Sequence, residues 1–133
     1  MPRFPSTEWA TAFQTAINAN PEYAEAARAW EGDILLLVAP DDLASEGEGI
    51  FLNLAHGSCR EARYVRPAGA VEAEFVYRGS RTDWEKLLRR EIDPVQAILD
   101  GTFHLKGNLA KAMRFTRAAK ALIETATDVP LES

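Results

Sequence analysis

In the N-terminal part of the chain Trp9, Phe13, Ala16 and Ile17 recur at helical spacing and form one apolar face. Ser6 is placed to cap this helix, because its hydroxyl can accept from a first-turn amide, and Glu8 complements the positive end of the helix dipole. Asn20-Pro21 restarts the pattern as an N-cap with a first-turn proline. Tyr23, Ala27 and Trp30 then mark the inner face of a second helix, which Gly32 is expected to end. From Asp33 the period changes: Ile34-Leu35-Leu36-Leu37-Val38 is a continuous apolar run closed by Pro40, the pattern of a strand in the middle of a sheet. The acidic, glycine-containing stretch 41–49 reads as a loop. Residues 50–55, 61–66 and 71–77 follow as three further strands, separated by the turn signals His56-Gly57-Ser58 and Pro67-Ala68-Gly69. In the last of them Val71, Ala73, Phe75 and Tyr77 alternate with Glu72 and Glu74, which predicts one face toward the core and one toward water.

Thr82 and Glu85 have the spacing of a capping box and open a helix carrying Trp84, Leu87 and Leu88. Asp93-Pro94-Val95-Gln96 repeats the start signal for a short helix, with Ile98 and Leu99 expected inward and Gly101 as its stop. Residues 102–106 alternate Phe103 and Leu105 with His104 and Lys106, a fifth strand. Gly107-Asn108 leads into a long helix expected to align Leu109, Ala112, Met113, Thr116, Ala119 and Ile123 on one face. Helices, four strands, helices, one strand and one helix predict an α+β fold, a mostly antiparallel sheet with helices packed on one face. No repeat or linker interrupts the pattern, so residues 1–133 are read as one domain.

Composition narrows the function classes. A chain of 133 residues buries roughly two thirds of its unfolded surface, enough for a real core. Apolar residues at 47% against 26% charged rule out a disordered or fibrous protein. The formal charge of −5 argues against nucleic acid as a partner, since a polyanion is on average repelled. The single cysteine, Cys59, has no partner within the chain, which suits a reducing compartment. The N-terminal Met1-Pro2-Arg3-Phe4-Pro5 lacks the apolar segment of a signal peptide, and the longest apolar run falls far short of the ~20 residues of a membrane span. A soluble, cytoplasmic protein is expected.

Candidate chemistry is sparse. His56, Ser58 and Cys59 lie together on a glycine turn, but a nucleophile needs a base oriented by a third group, and adjacency alone supplies none. Asp41, Asp42, Glu46 and Glu48 lack the alternating carboxylates and final glutamate of a calcium loop. No zinc spacing, dinucleotide motif or phosphate loop occurs. Hence no catalytic residue, metal or cofactor is assigned and an enzyme is not expected. Lys86, Arg89, Arg90, Lys111, Arg114, Arg117 and Lys120 sit on helices with apolar opposite faces; they serve solvation and helix termini, or else a weak grip on anionic lipid surfaces.

The stretch from Asp93 through Asn108 resembles the C-terminal signature of the sterol carrier protein type-2 family. Pro94, Ala97, Gly101, Lys106, Gly107, Asn108 and the following Ala112-Met113 stand where that signature has a proline-started helix, a glycine stop, a strand with a lysine, and a glycine–asparagine helix start. The likeness extends more loosely to Trp84 and to the strand region 34–77. It implies a five-stranded sheet and helices enclosing an apolar tunnel for fatty acids, acyl-CoAs, sterols or other lipids, with no catalytic residues. Two departures are Trp9, Phe13 and Trp30 in the N-terminal region and the ending Leu131-Glu132-Ser133, which is no peroxisomal address.

The expected function is that of an intracellular lipid-binding or transfer protein. Its tunnel lining is expected to comprise Trp9, Phe13, Trp30, Phe51, Trp84, Leu88, Ile92, Ile98, Leu99, Phe103, Leu109, Met113 and Leu122, residues that plain core packing would also explain. An empty cavity of ~300 Å³ would cost on the order of 7 kcal/mol, so a tunnel should be filled or partly collapsed. The alternative is a protein-interaction or dimerisation module whose apolar face is exposed rather than enclosed. Transient contact with a membrane surface and homodimerisation are compatible partners beside the lipid itself.

Overall fold

The computed structural model describes residues 3–39 and 47–130. Helices α1 (Thr7–Asn18) and α2 (Pro21–Ala26) precede strands β1 (Glu31–Ala39), β2 (Glu48–Ala55) and β3 (Ser58–Val65). After a 3-10 turn at Ala68–Ala70 come β4 (Phe75–Ser80), α3 (Arg81–Leu88), α4 (Pro94–Leu99), β5 (His104–Lys106), α5 (Leu109–Arg114) and α6 (Thr116–Asp128). The five strands make one sheet in the order β3-β2-β1-β4-β5. All neighbours are antiparallel except β1 and β4, which run parallel with Leu36 opposite Tyr77.

Strand alternation sorts the sheet into two apolar faces. Ile34, Leu36 and Val38, with Ile50, Leu52, Leu54, Phe75, Tyr77 and Leu105, turn toward the helices and join the main core. Leu35, Phe51 and Val65 turn the other way and pack with Leu37, Val76 and the turn residue Ala68. The uninterrupted apolar run of β1 is thereby explained, since a central strand has apolar neighbours on both faces. Val71 and Ala73 belong to that outer cluster, and the chain enters β4 only at Phe75. The alternation from Val71 therefore spans two faces rather than one continuous strand.

Several helix signals act as expected. The Ser6 hydroxyl accepts from Trp9 N at 3.1 Å, Asn20 Oδ1 from Glu22 N at 3.0 Å, and Asp93 Oδ1 from Val95 N and Gln96 N at 2.9 Å. Others act differently. Gly32 does not stop α2; it lies in β1 opposite Leu54, because α2 ends at Ala26 and Trp30 O accepts from His56 N as the sheet begins. Helix α3 is capped by Ser80, whose hydroxyl accepts from Asp83 N, not by Thr82. The C-terminal helix is broken at Phe115 (φ −119°, ψ 31°). The break resets the phase, so Ala118, Ala121, Leu122, Thr125 and Ala126 face inward on α6 together with the expected Ile123, whereas no residue of α5 is buried.

The core has two halves. In one, Trp9, Phe13, Trp84, Tyr77 and Phe103 form a filled aromatic cluster, with Trp84 perpendicular to Phe103 and Tyr77 stacked on Phe103 at 4.8 Å. The Trp84 indole N–H donates to Leu37 O at 2.9 Å, tying α3 to the central strand. In the other half Trp30 touches Phe75 and Phe115, and here the packing is incomplete.

Candidate functional site

Between the inner sheet face and the C-terminal helices lie two adjoining cavities of about 70 Å³ and 80 Å³. Ile34, Leu105, Ala119 and Leu122 belong to both. The first is bounded by Trp30, Phe75, Ala112 and Phe115, the second by Leu36, Tyr77, Val95 and Ile98. Together they form a seam with β1, β4 and β5 as floor and α4, α5 and α6 as roof. The walls are almost wholly carbon. Two polar side chains reach the second cavity: the Tyr77 hydroxyl, which donates to Pro94 O at 3.0 Å, and Lys120. Burial raises the Tyr77 phenol above its ordinary value, and it stays neutral. Such a surface offers an apolar chain almost wholly uncharged contact, with Lys120 as the cation bordering the second cavity.

The expected lining residues fall into several groups. Trp30, Ile98 and Leu122 border the seam. Trp9, Phe13, Trp84, Leu88 and Phe103 are buried in the core without bordering either cavity. Phe51 is on the opposite face of the sheet, because its neighbours Ile50 and Leu52 take the inward positions of β2. Ile92 borders a separate polar cleft with Arg90, Glu91 and Asp128, where Arg90 and Asp128 are paired. Leu99 and Met113 are each 76% exposed and Leu109 is 55% exposed, so the inward placement expected for them is corrected, whereas Ile98, 36% exposed, still borders the second cavity. On α4 it is Ala97 that takes the buried position.

Sequence reasoning missed Ile34, Leu36, Leu105, Ala112 and Ala119 as seam residues. Strand alternation could have supplied the first three; the small alanines on the roof carry no pattern distinct from an ordinary helix.

A cation lies against Trp30, one of the residues bordering the first cavity. The Lys111 ammonium lies 4.7 Å from the centre of the Trp30 ring, donates to Glu31 O at 2.8 Å and pairs with Glu74 at 2.8 Å. A side chain at Gly32 would meet the Glu74 carboxylate and the Lys111 ammonium, so glycine leaves room for this pair to lie against β1 as it does. Elsewhere, the His56, Ser58 and Cys59 groups each have other partners. His56 Nδ1 contacts Arg28 O at 3.2 Å, the Ser58 hydroxyl donates to Ala55 O at 3.0 Å, and the Cys59 thiol donates to Glu61 O at 3.2 Å. Burial pushes that thiol up to about 11, so it is protonated and a poor nucleophile at neutral pH. Asp41, Asp42 and Glu46 lie outside the described residues; Glu48 accepts from Tyr64 and pairs with Arg81. Among the described residues no cluster of histidine, cysteine and carboxylates could hold a metal, and no helix is long and apolar enough to cross a membrane.

A five-stranded mixed sheet in the order β3-β2-β1-β4-β5 with helices over one face is the sterol-carrier fold. The chain belongs to the SCP-2 sterol transfer family, which matches residues 13–120. A crystal structure of sterol carrier protein 2 is 33% identical, with a TM-score of 0.87 over 94% of this chain and 98% of the other. The solution structure of a conserved protein from Thermus thermophilus is 30% identical, with a TM-score of 0.82 over 99% and 97%. The apo form of sterol carrier protein 2 from Yarrowia lipolytica shares the fold, at 16% identity and a TM-score of 0.58 over 89% and 88%. No curated protein sequence matches this chain significantly.

Proposed function

We propose that this protein is an intracellular carrier that holds one elongated apolar molecule, such as a fatty acid, along the seam between the sheet and helices α4–α6. The carbon-lined pair of adjoining cavities is the observation that carries this reading. At about 70 and 80 Å³ they are smaller than the ~300–1,000 Å³ typical of ligand pockets, so loading requires the roof to move outward. The roof is suited to that. Helix α5 has no buried residue, and α4 buries only Ala97. A long acyl chain gains roughly 10 kcal/mol from methylene burial before association costs, ample for micromolar binding.

The test is native mass spectrometry of the purified protein, followed by extraction and identification of released lipid, and by addition of palmitate to delipidated protein. A one-to-one adduct is expected. Ala119→Trp, which adds bulk at an exposed position bordering both cavities, should fold normally and abolish the adduct. An apo mass alone, with no palmitate adduct in the unmodified protein, would reject the carrier in favour of an interaction module.

A further inference from the structure

We infer that the C-terminal part of α4, helix α5 and the start of α6 form the surface by which this protein docks on an anionic lipid bilayer. The inference rests on the carrier reading for its purpose, but its physical basis is separate. Among the described residues the exposed large hydrophobic side chains are Ile98, Leu99, Leu109 and Met113, and all four belong to the two short helices that roof the seam. Ile98 borders one cavity, and Met113 follows Ala112, which borders the other. Leu109 and Met113, one helical turn apart, share a face of α5. An apolar patch at the mouth of an apolar seam is placed where a ligand crosses between protein and membrane.

Charge selects the kind of surface. From Gly101 to Ile123 the chain has Lys106, Lys111, Arg114, Arg117 and Lys120 and no acidic residue, although the whole chain carries −5. Lys111 is occupied by Glu74, and Lys106 borders a hollow on the opposite face of the sheet. Arg114, Arg117 and Lys120 make no ion pair among the described residues. Arg114 follows Met113 on α5, and Arg117 and Lys120 continue along α6, so this side carries unpaired cations, with Asp100 beside Leu99 as the carboxylate at its edge, while the rest of the molecule is strongly acidic. The resulting asymmetry turns this side toward a negative surface and the remainder away from it. The exposed positions of α1, among them Thr7, Glu8, Thr11, Thr15 and Asn18, carry neither bulky apolar groups nor cations. A bilayer surface supplies both halves of the match, phosphates for these cations and an apolar interior for Leu99, Leu109 and Met113, whereas an acidic protein surface would pair only the cations.

Co-sedimentation with vesicles tests this, comparing phosphatidylcholine alone with an equal mixture of phosphatidylcholine and phosphatidylglycerol. Binding to the mixture only, weakened by salt, is expected. Arg114→Gln with Arg117→Gln should reduce it about thirtyfold, from roughly fivefold for each charge near the surface. Leu99→Glu with Met113→Glu should abolish it. All four positions are exposed and border neither cavity, so both variants should melt like the unmodified protein and keep the palmitate adduct in vesicle-free solution. Failure to bind the mixture, equal binding to both vesicle types, or binding unchanged in both variants would overturn the docking surface. So would a dimer in sedimentation velocity that Leu99→Glu with Met113→Glu dissolves while the vesicles stay unbound, because the patch would then belong to a second copy. If palmitate fails to bind but the vesicle pattern holds, the carrier reading falls and the docking surface stands.

Discussion

Cys59 shows how a side chain with no chemistry to perform can still set a pH limit. Its backbone is held at both ends by α1: Asn18 Oδ1 accepts from Cys59 N at 2.7 Å, and the amides of Asn18 and Gln14 donate to Cys59 O at 3.0 and 3.2 Å. The thiol is thus fixed in the core, where burial raises its pKa from 9.0 to about 11. A group that binds its proton more tightly when folded contributes stability below its unfolded pKa and loses it as pH rises. Between pH 9 and 11 the unfolded chain releases this proton and the folded chain keeps it, a difference of about 2–3 kcal/mol. Buried Tyr23 and Tyr77 are raised as well and act in the same sense at higher pH. Denaturation of the unmodified protein and of Cys59→Ala across this window should show a steep fall in stability for the first and a shallower one for the second. Parallel slopes would show that the thiol is not the group responsible.

At the scale of elements, α5 is the least anchored helix. It consists of Leu109–Arg114, buries nothing, and is joined to the sheet by Lys111 on Glu31 and Glu74. Lys111→Met should keep the stem over Trp30 but remove those bonds. Amide exchange of residues 109–114 is then expected to quicken by about tenfold, from roughly 1.4 kcal/mol of lost charged hydrogen bonding, with α6 exchange unchanged. Uniform protection in the variant would mean that Phe115 on Trp30 suffices to hold the roof.

The same helix explains what the sequence could and could not disclose. Caps at Ser6, Asn20 and Asp93 were legible because a short polar side chain before a helical run has one local use. The central position of β1 was legible because few other patterns contain five consecutive branched apolar residues. The break at Phe115 was not, since apolar spacing on either side of it is helical, and the contact of Phe115 with the distant Trp30 has no local sequence signal. Leu109 and Met113 were assigned inward by extending one phase through that break. Glycine likewise misled at position 32, where the need is close approach of Glu74 rather than a stop.

Taken whole, the molecule pairs a filled aromatic half with an underfilled one. Holding a cavity of ~300 Å³ open would cost on the order of 7 kcal/mol, comparable with a domain's entire stability, and the seam instead is nearly closed. On the carrier reading proposed above, a ligand entering the seam reopens space that the chain otherwise fills by settling. Palmitate at a hundred times its dissociation constant should add about 2.7 kcal/mol and raise the melting temperature on the order of 10 °C. No rise with palmitate would leave the seam an ordinary packing defect.

The parallel pairing of β1 with β4 has a consequence for the order of synthesis. The β1–β2–β3 meander pairs neighbours in sequence and can form as soon as it emerges, whereas β1 must wait for β4, α4, β5, α5 and α6 before its inner face is covered. A nascent chain halted after β3 already has α1 available to cover β3 but leaves the seam side of the sheet bare, and the last helices to arrive are those that close over it. The seam between the sheet and α4–α6 is therefore the last part of the core to be enclosed as the chain folds from its N-terminus.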